Sequence, residues 1–183
     1  AQETRHFNMD LVFDIETDGL DATVVWCIVA QDADSGEIFK FPPNKLQEGY
    51  EFLTTADRLI GHNIIGFDIP LVEKFGNVDL SGIPVIDTLV LSRLFNPCRD
   101  GGHSLEKWGY RLGLSKIEFS EYERYSSEML TYCVRDVQLN TLVYNELRKE
   151  SKGFSKGSIE LEQSVAKIMK QQEETGFKFD TKK

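Results

Sequence analysis

Several protein classes are excluded by what this sequence has little of. Its three cysteines, Cys27, Cys98 and Cys133, lie far apart with no CxxC spacing. A disulfide framework and a zinc ribbon are therefore not expected, and a reducing cytosol is the default compartment. Long apolar runs are missing too: the longest, Thr23 to Ala30, is far short of the ~20 residues a spanning helix needs. Nothing resembles a signal peptide, and no membrane partner is expected. Basic residues are in deficit, and the net charge of −9 argues against a protein that coats DNA. It leaves room for an enzyme that meets nucleic acid through bound cations, which change the local sign of charge. Repeats and low-complexity tracts are absent. The 183 residues suffice for one domain with its own core, with or without a helical appendage.

Residues 1–8 carry no periodicity and precede the first methionine, Met9, so they read as an expression remnant or a loose arm. Leu11 to Glu16 reads as a strand, followed by the turn-rich Thr17-Asp18-Gly19. Thr23 to Gln31 forms a second strand, and Asp34-Ser35-Gly36 a hairpin connection into a third, Glu37 to Phe41. After Pro42-Pro43 a helix is expected from Lys45 to Leu53, with Asn44 as its N-cap. Short strands follow at Arg58 to Gly61 and Val85-Ile86. Helices are expected over Asp68 to Phe75, with Pro70 in its first turn, and over Thr88 to Phe95, Ser104 to Leu112 and Ser126 to Lys149. Ser151 to Gly157 reads as a linker. Beyond it Leu161, Val165, Ile168 and Met169 form an apolar stripe at helical spacing, with Gly176 as a C-cap. Strands early and helices late, with one hairpin, indicate an α/β fold with a mixed sheet.

Four acidic residues, in three stretches of the chain, break the apolar pattern. Asp14 and Glu16 sit two apart in Leu11-Val12-Phe13-Asp14-Ile15-Glu16 and so share one strand face. Two carboxylates on a buried strand cost several kcal/mol (roughly) unless something compensates. Asp68 lies within Ile64-Ile65-Gly66-Phe67-Asp68-Ile69-Pro70-Leu71. Asp136 falls on the apolar arc of the long helix with Met129, Val143 and Leu147, and Tyr132 stands one turn earlier. A strand end, a helix cap or an arginine pair would account for any one of these acids alone. Together they form an oxygen-only donor set of the kind magnesium or manganese prefers.

Phe13-Asp14-Ile15-Glu16-Thr17 resembles the first motif of the 3′–5′ exonucleases with a ribonuclease H-like fold. Gly61-His62-Asn63 through Phe67-Asp68 resembles their second, and Tyr132-Cys133-Val134-Arg135-Asp136 their third. Tyr132 points to the tyrosine subclass; the histidine subclass would carry His where Thr131 stands. A narrower resemblance, to the proofreading domain of phage-type family A DNA polymerases, lies in Ile86-Asp87-Thr88-Leu89-Val90-Leu91-Ser92-Arg93-Leu94 and in Gly102-His103-Ser104-Leu105-Glu106-Lys107-Trp108-Gly109-Tyr110-Arg111-Leu112-Gly113. Gly176-Phe177-Lys178-Phe179-Asp180-Thr181 resembles the passage into such a polymerase domain. Leu114 to Tyr125 matches nothing.

The resemblance implies a ribonuclease H-like mixed sheet flanked by helices, with an exonuclease domain over 9–150. Residues 151–183 would be a linker and helix leading toward a polymerase domain not present in this chain. It further implies two divalent ions, Mg or Mn, with Asp14, Glu16, Asp68 and Asp136 as ligands and Asp14 bridging both. Tyr132 would orient the attacking water, Glu16 sharing that role, and the product would be a nucleoside 5′-monophosphate. The implied partners are single-stranded DNA or a primer 3′ end and a polymerase domain in cis, in the cytoplasm of a host cell. Thr17 would touch the 3′ end and Leu20 would wedge between bases, against the alternatives of a turn threonine and a core leucine. Asn63 is a candidate for the sugar-phosphate backbone and His62 for a structural hydrogen bond. Trp108 and Tyr110 read as core. Charges between Thr88 and Arg135 nearly balance, so weak, salt-sensitive DNA binding is expected. A stand-alone ribonuclease or oligonucleotide-trimming nuclease, and a non-catalytic metal-binding scaffold, are the competing readings.

Overall fold

A computed structural model describes residues 9–179; the arm expected over 1–8, and Asp180 and Thr181, lie outside them. Five strands form one mixed sheet: β1 (Asp10–Thr17), β2 (Val25–Asp32), β3 (Ile38–Phe41), β4 (Arg58–Gly61) and β5 (Val85–Asp87). Their spatial order is β3-β2-β1-β4-β5. The first three strands pair antiparallel as a meander, whereas β4 and β5 run parallel to β1. Parallel pairing requires crossovers, supplied by α1 (Leu46–Leu53) and α2 (Asp68–Gly76). The helices α3 (Thr88–Phe95), α4 (Leu105–Leu112), α5 (Ser127–Glu150) and α6 (Lys156–Thr175) complete the flanking layers.

The alternation of β1 assigns its two faces. Leu11, Phe13 and Ile15 enter a core with Tyr50 and Leu53 of α1 and Val72 of α2. Val12 enters the opposite core with Met129, Cys133 and Val137 of α5. Because side chains alternate along a strand, Asp14 and Glu16 share the Val12 face and point toward α5. A third cluster joins Leu91 of α3, Trp108 of α4 and Leu139, Val143 and Leu147 of α5. Among the described residues, no helix is long and apolar enough to cross a membrane.

The expected elements are present, with shifted ends. Strand β2 starts at Val25 because Thr23 and Val24 belong to a loop whose backbone N–H groups both donate to the Asp18 carboxylate. Asn44 does not cap α1. It lies inside a 3₁₀ turn, Pro43–Lys45, and the helix begins afterwards at Leu46 with no side-chain cap. Pro43, with its fixed φ, starts the turn before Asn44. Ser104 and Ser126 do cap α4 and α5, accepting from Lys107 N–H and Met129 N–H. Within Ser151 to Gly157 the chain makes a 3₁₀ turn, Ser151–Gly153, and α6 starts at Lys156 behind a Ser155 cap. Phe154 packs on Phe95 with ring centroids 4.7 Å apart. Gln163 then ties α6 to the sheet: it accepts from Asp87 N–H at 3.0 Å and donates to Asp87 C=O at 3.2 Å. The stripe of Leu161, Val165, Ile168 and Met169 is on α6 as expected, and it is exposed. Gly176 closes the helix at φ 64°.

Gly61 ends β4 where the second motif turns away from the sheet. A Cβ there would stand 2.0 Å from Ile64 Cγ2 and 3.0 Å from the Phe13 carbonyl oxygen. Both neighbours are buried, so neither can swing aside. Gly61→Ala should therefore destabilise the fold by about 1–3 kcal/mol, the usual range for overpacking a core, read as a lower urea midpoint with an unchanged slope.

Candidate active site

Three elements bring the predicted acids together. Strand β1 supplies Asp14 and Glu16 on one face, and a register shift between Glu16 and Thr17 ends its regular pairing with β2. Such irregularities recur beside active sites, where they re-aim a side chain. Helix α2 supplies Asp68 as its first residue. Strand β1 pairs with β4 only as far as Val12; beyond that, the Ile15 N–H donates to Asp68 Oδ1 at 3.2 Å. The second motif thus completes the hydrogen bonding of the first. Helix α5 supplies Tyr132, Cys133 and Asp136, all buried. One carboxylate oxygen each from Asp14 and Glu16 lies with the Cys133 sulfur within a mutual 4.8 Å.

The electrostatics reflect this crowding. Burial, then the charges of Asp68, Glu16 and Asp136, pushes the Asp14 carboxyl well above its ordinary range. Burial, then Cys27 and Asp136, raises Glu16 to about 9. Burial raises Asp68 to about 7, although the Ile15 N–H favours its charged form. Asp136 is raised by burial, with partial relief from Lys116. The Tyr132 phenol is also pushed up, by burial and by Asp136, and stays a neutral hydroxyl at physiological pH.

Carboxyls pushed toward the protonated form by burial and mutual repulsion mark a cavity in which a bound cation would stabilise their charged forms. One atom makes this specific: among the described residues, Asp136 Oδ1 is buried without a hydrogen-bond partner. Buried polar atoms are rarely left unpaired, so this oxygen is available as a ligand. The donor set fits a hard divalent ion, since Asp14, Glu16, Asp68 and Asp136 all offer oxygen. Cys133 does not belong to it. Its thiol is driven well above its usual range by burial, then by Cys27 and Asp14, and a neutral thiol is a poor partner for magnesium.

The remaining candidates divide. Thr17 is buried and closes its own turn, donating from Oγ1 to Gly19 C=O at 2.9 Å. Leu20 is 90% exposed, so the core alternative is wrong: the loop carries it outward past the end of β1. Asn63 is exposed and adopts φ 67°, held by its N–H donating to Asp87 Oδ1 at 2.9 Å. His62 is the structural hydrogen-bonder expected, its Nδ1 2.9 Å from Thr88 Oγ1; burial takes its pKa down to about 4. Trp108 is core as expected, donating from Nε1 to Ser92 Oγ at 3.1 Å. Tyr110 is not. It is 62% exposed beside Glu106, because two helical positions past the buried Trp108 lies the opposite face of α4.

Two contributors escaped the sequence reading. Asp87, ending β5, accepts from the N–H groups of Asn63, Ile65, Leu89 and Val90, pinning the second motif to the start of α3. Lys116, from the unmatched Leu114 to Tyr125 stretch, places Nζ 2.5 Å from Asp136 Oδ2 and 5.0 Å from the centre of the Tyr132 ring. Phe119 stacks on Tyr132 at 5.4 Å, and Trp26 Nε1 donates to Tyr122 C=O at 2.9 Å. The stretch therefore folds over the site. A signal was available in its length without regular structure, its one lysine and its three spaced aromatics, Phe119, Tyr122 and Tyr125.

These carboxylates make a pH dependence in the metal-free protein. Unfolded Asp and Glu release their protons near 3.8 and 4.5, whereas folded Asp68 and Glu16 hold theirs to about 7 and about 9. Between those limits the native state binds more protons, so folding stability is lost as pH rises. In chelator, thermal melts should fall from pH 5 to pH 9. Millimolar manganese should raise the high-pH melts, because the ion binds the native cluster.

No protein-family model matches the chain. The sequence is similar to the DNA-directed DNA polymerase of Enterobacteria phage T3, with 27% identity over 94% of this chain and 34% of the polymerase. The corresponding enzyme of Escherichia phage T7 is 26% identical with the same coverage. The chain thus spans about a third (34%) of the length of these curated relatives. In structure it resembles Brucella melitensis NrnC with bound Mg2+, at a TM-score of 0.70 and 17% identity, covering 98% of this chain and 92% of that one. It also resembles the catalytic core of RRP6 from Trypanosoma brucei, at a TM-score of 0.65 and 11% identity, covering 89% and 46%. The fold is that of the ribonuclease H-like nucleases, and the match to phage DNA polymerases over an exonuclease-sized region agrees with the resemblance carried by the three motifs.

Proposed function

We propose that this chain is a metal-dependent 3′–5′ exonuclease that removes terminal nucleotides from single-stranded or frayed DNA and releases nucleoside 5′-monophosphates. The observation that carries the reading is the convergence of Asp14, Glu16, Asp68 and Asp136 from three separate elements, with Asp136 Oδ1 buried and unpartnered among the described residues. The similarity to phage polymerases supports a proofreading role, with a polymerase domain following 151–183 in a longer chain and a host cytoplasm as its setting.

Two divalent ions, magnesium or manganese, would supply an activated water and offset charge on the phosphate. Asp14, whose carboxyl lies in the field of Asp68, Glu16 and Asp136, would serve both ions. Glu16 and Asp136 would complete one ion's ligands and Asp68 the other's. The Tyr132 hydroxyl, neutral and fixed on α5, would orient the attacking water. Exposed Leu20 would stand between terminal bases, Thr17 would meet the 3′ end, and Asn63 would contact the sugar-phosphate backbone. A second reading, trimming of very short oligonucleotides, is favoured by the likeness to Brucella melitensis NrnC bound to pGG, at a TM-score of 0.68. Parallel digestion of 3′-labelled single-stranded DNA, RNA and dinucleotides, with and without magnesium, separates the two.

Asp14→Ala should abolish cleavage of 3′-labelled single-stranded DNA and remove metal binding at both positions; near-parental hydrolysis would exclude the two-ion assignment. Tyr132→Phe should slow cleavage while leaving metal binding by calorimetry intact. Joint loss of both would place the tyrosine among the metal ligands.

A further inference from the structure

The stretch over the site carries a cation into the middle of the acidic cluster. Lys116 is about three-quarters buried, with 25% of its side chain exposed. Its ammonium touches Asp136 through Oδ2, the oxygen opposite the orphaned Oδ1. Burial alone would disfavour the ammonium, yet Asp136, Asp14 and Glu16 outweigh it and hold the lysine firmly charged. The Tyr132 ring supplies a second anchor, since an aromatic face attracts a cation without competing for carboxylate oxygens. The contact has two opposed consequences for a divalent ion. It holds the Asp136 side chain in one orientation, which favours ligation. It also leaves a positive charge next to the place the ion must occupy, which opposes ligation. Asp136 is already confined by packing on α5, so orientation gains little. Charge repulsion in a desolvated cleft is the larger effect.

We infer that Lys116 is a built-in counter-ion of the carboxylate cluster, a positioning residue that Asp136 exchanges for divalent metal and that sets how tightly metal is held. This rests on the metal-site reading above. Without metal, the ammonium neutralises part of the cluster and keeps Asp136 and Tyr132 in register. When metal occupies the carboxylates, the ammonium stays tethered to the Tyr132 face at the edge of the cleft. The next anion available to it is a phosphodiester of the substrate. Metal and DNA should therefore bind with mutual support that depends on Lys116: metal frees the ammonium for DNA, and DNA offsets the charge that opposes metal. Such coupling is reciprocal by thermodynamic linkage.

Calorimetric titration of manganese into the parent, Lys116→Met and Lys116→Arg tests this, each without and with a phosphorothioate-terminated single-stranded oligonucleotide that resists cleavage. Without oligonucleotide, Lys116→Met should bind manganese about tenfold more tightly than the parent, the scale expected for removing one nearby charge. Its metal-free melting temperature should fall, because the cluster loses its counter-ion. The oligonucleotide should tighten manganese binding by a clearly larger factor in the parent and Lys116→Arg than in Lys116→Met, where only the ions' own contact with phosphate remains. Manganese binding by Lys116→Met that is equal to or weaker than the parent's would overturn the inference. So would oligonucleotide enhancement in that variant as large as the parent's. A parent that binds no manganese at all would overturn the metal-site reading and this inference with it. A parent that binds manganese while the Lys116 variants match it would overturn the inference alone.

Discussion

Four carboxylates are held close together where water is scarce, and much of the molecule answers to that constraint. Each would be more favourable in solvent, and their mutual repulsion adds to the cost. The sheet and helices hold them nonetheless, because the backbones that carry them are committed to the cores on either side. Asp14 and Glu16 cannot leave the cleft without turning Leu11, Phe13 and Ile15 out of their own core. Asp136 shares its helix face with Met129, Val137 and Val143. The cost falls on a local site and the stabilisation comes from the whole domain, an arrangement common at functional sites.

Partial relief comes from within the chain. The Ile15 N–H favours the charged form of Asp68, and Lys116 offsets Asp136. Neither reaches Asp136 Oδ1. The relief from within the chain is thus partial, and the oxygen donors that remain suit a hard cation.

The supporting structure is built from polar side chains that replace ladder and helix-end partners. Asp87 satisfies backbone N–H groups on both sides of β5, and Gln163 reaches from α6 to satisfy the backbone of Asp87 itself. Through these contacts α6 bears on the loop that presents Asn63. The irregular stretch after α4 acts on the site directly, with aromatic packing on Tyr132 and a salt bridge to Asp136. The stretch after α4 carries no periodic signal, and the tie from α6 runs through Gln163, which lies outside that helix's apolar stripe.

The sequence by itself determined the elements and the acids. The near-continuous apolar run from Leu11 to Ile15 made β1 a strand buried on both faces, and carboxylates at Asp14 and Glu16 stood out against it. Helical spacing placed Asp136 on the buried arc of α5, while the resemblance of the three motifs to the 3′–5′ exonucleases implied that these positions act together. These are local patterns, readable because neighbours in sequence share a face. Tertiary structure alone decided the rest. Whether Leu20 is core or exposed depends on where a loop leaves the sheet, and the side of Tyr110 depends on which face of α4 is covered. Lys116 meets Asp136 across a gap in sequence that no periodicity spans. Its role arises from the field of three carboxylates brought together by folding, and a field of that kind has no local signature in a chain.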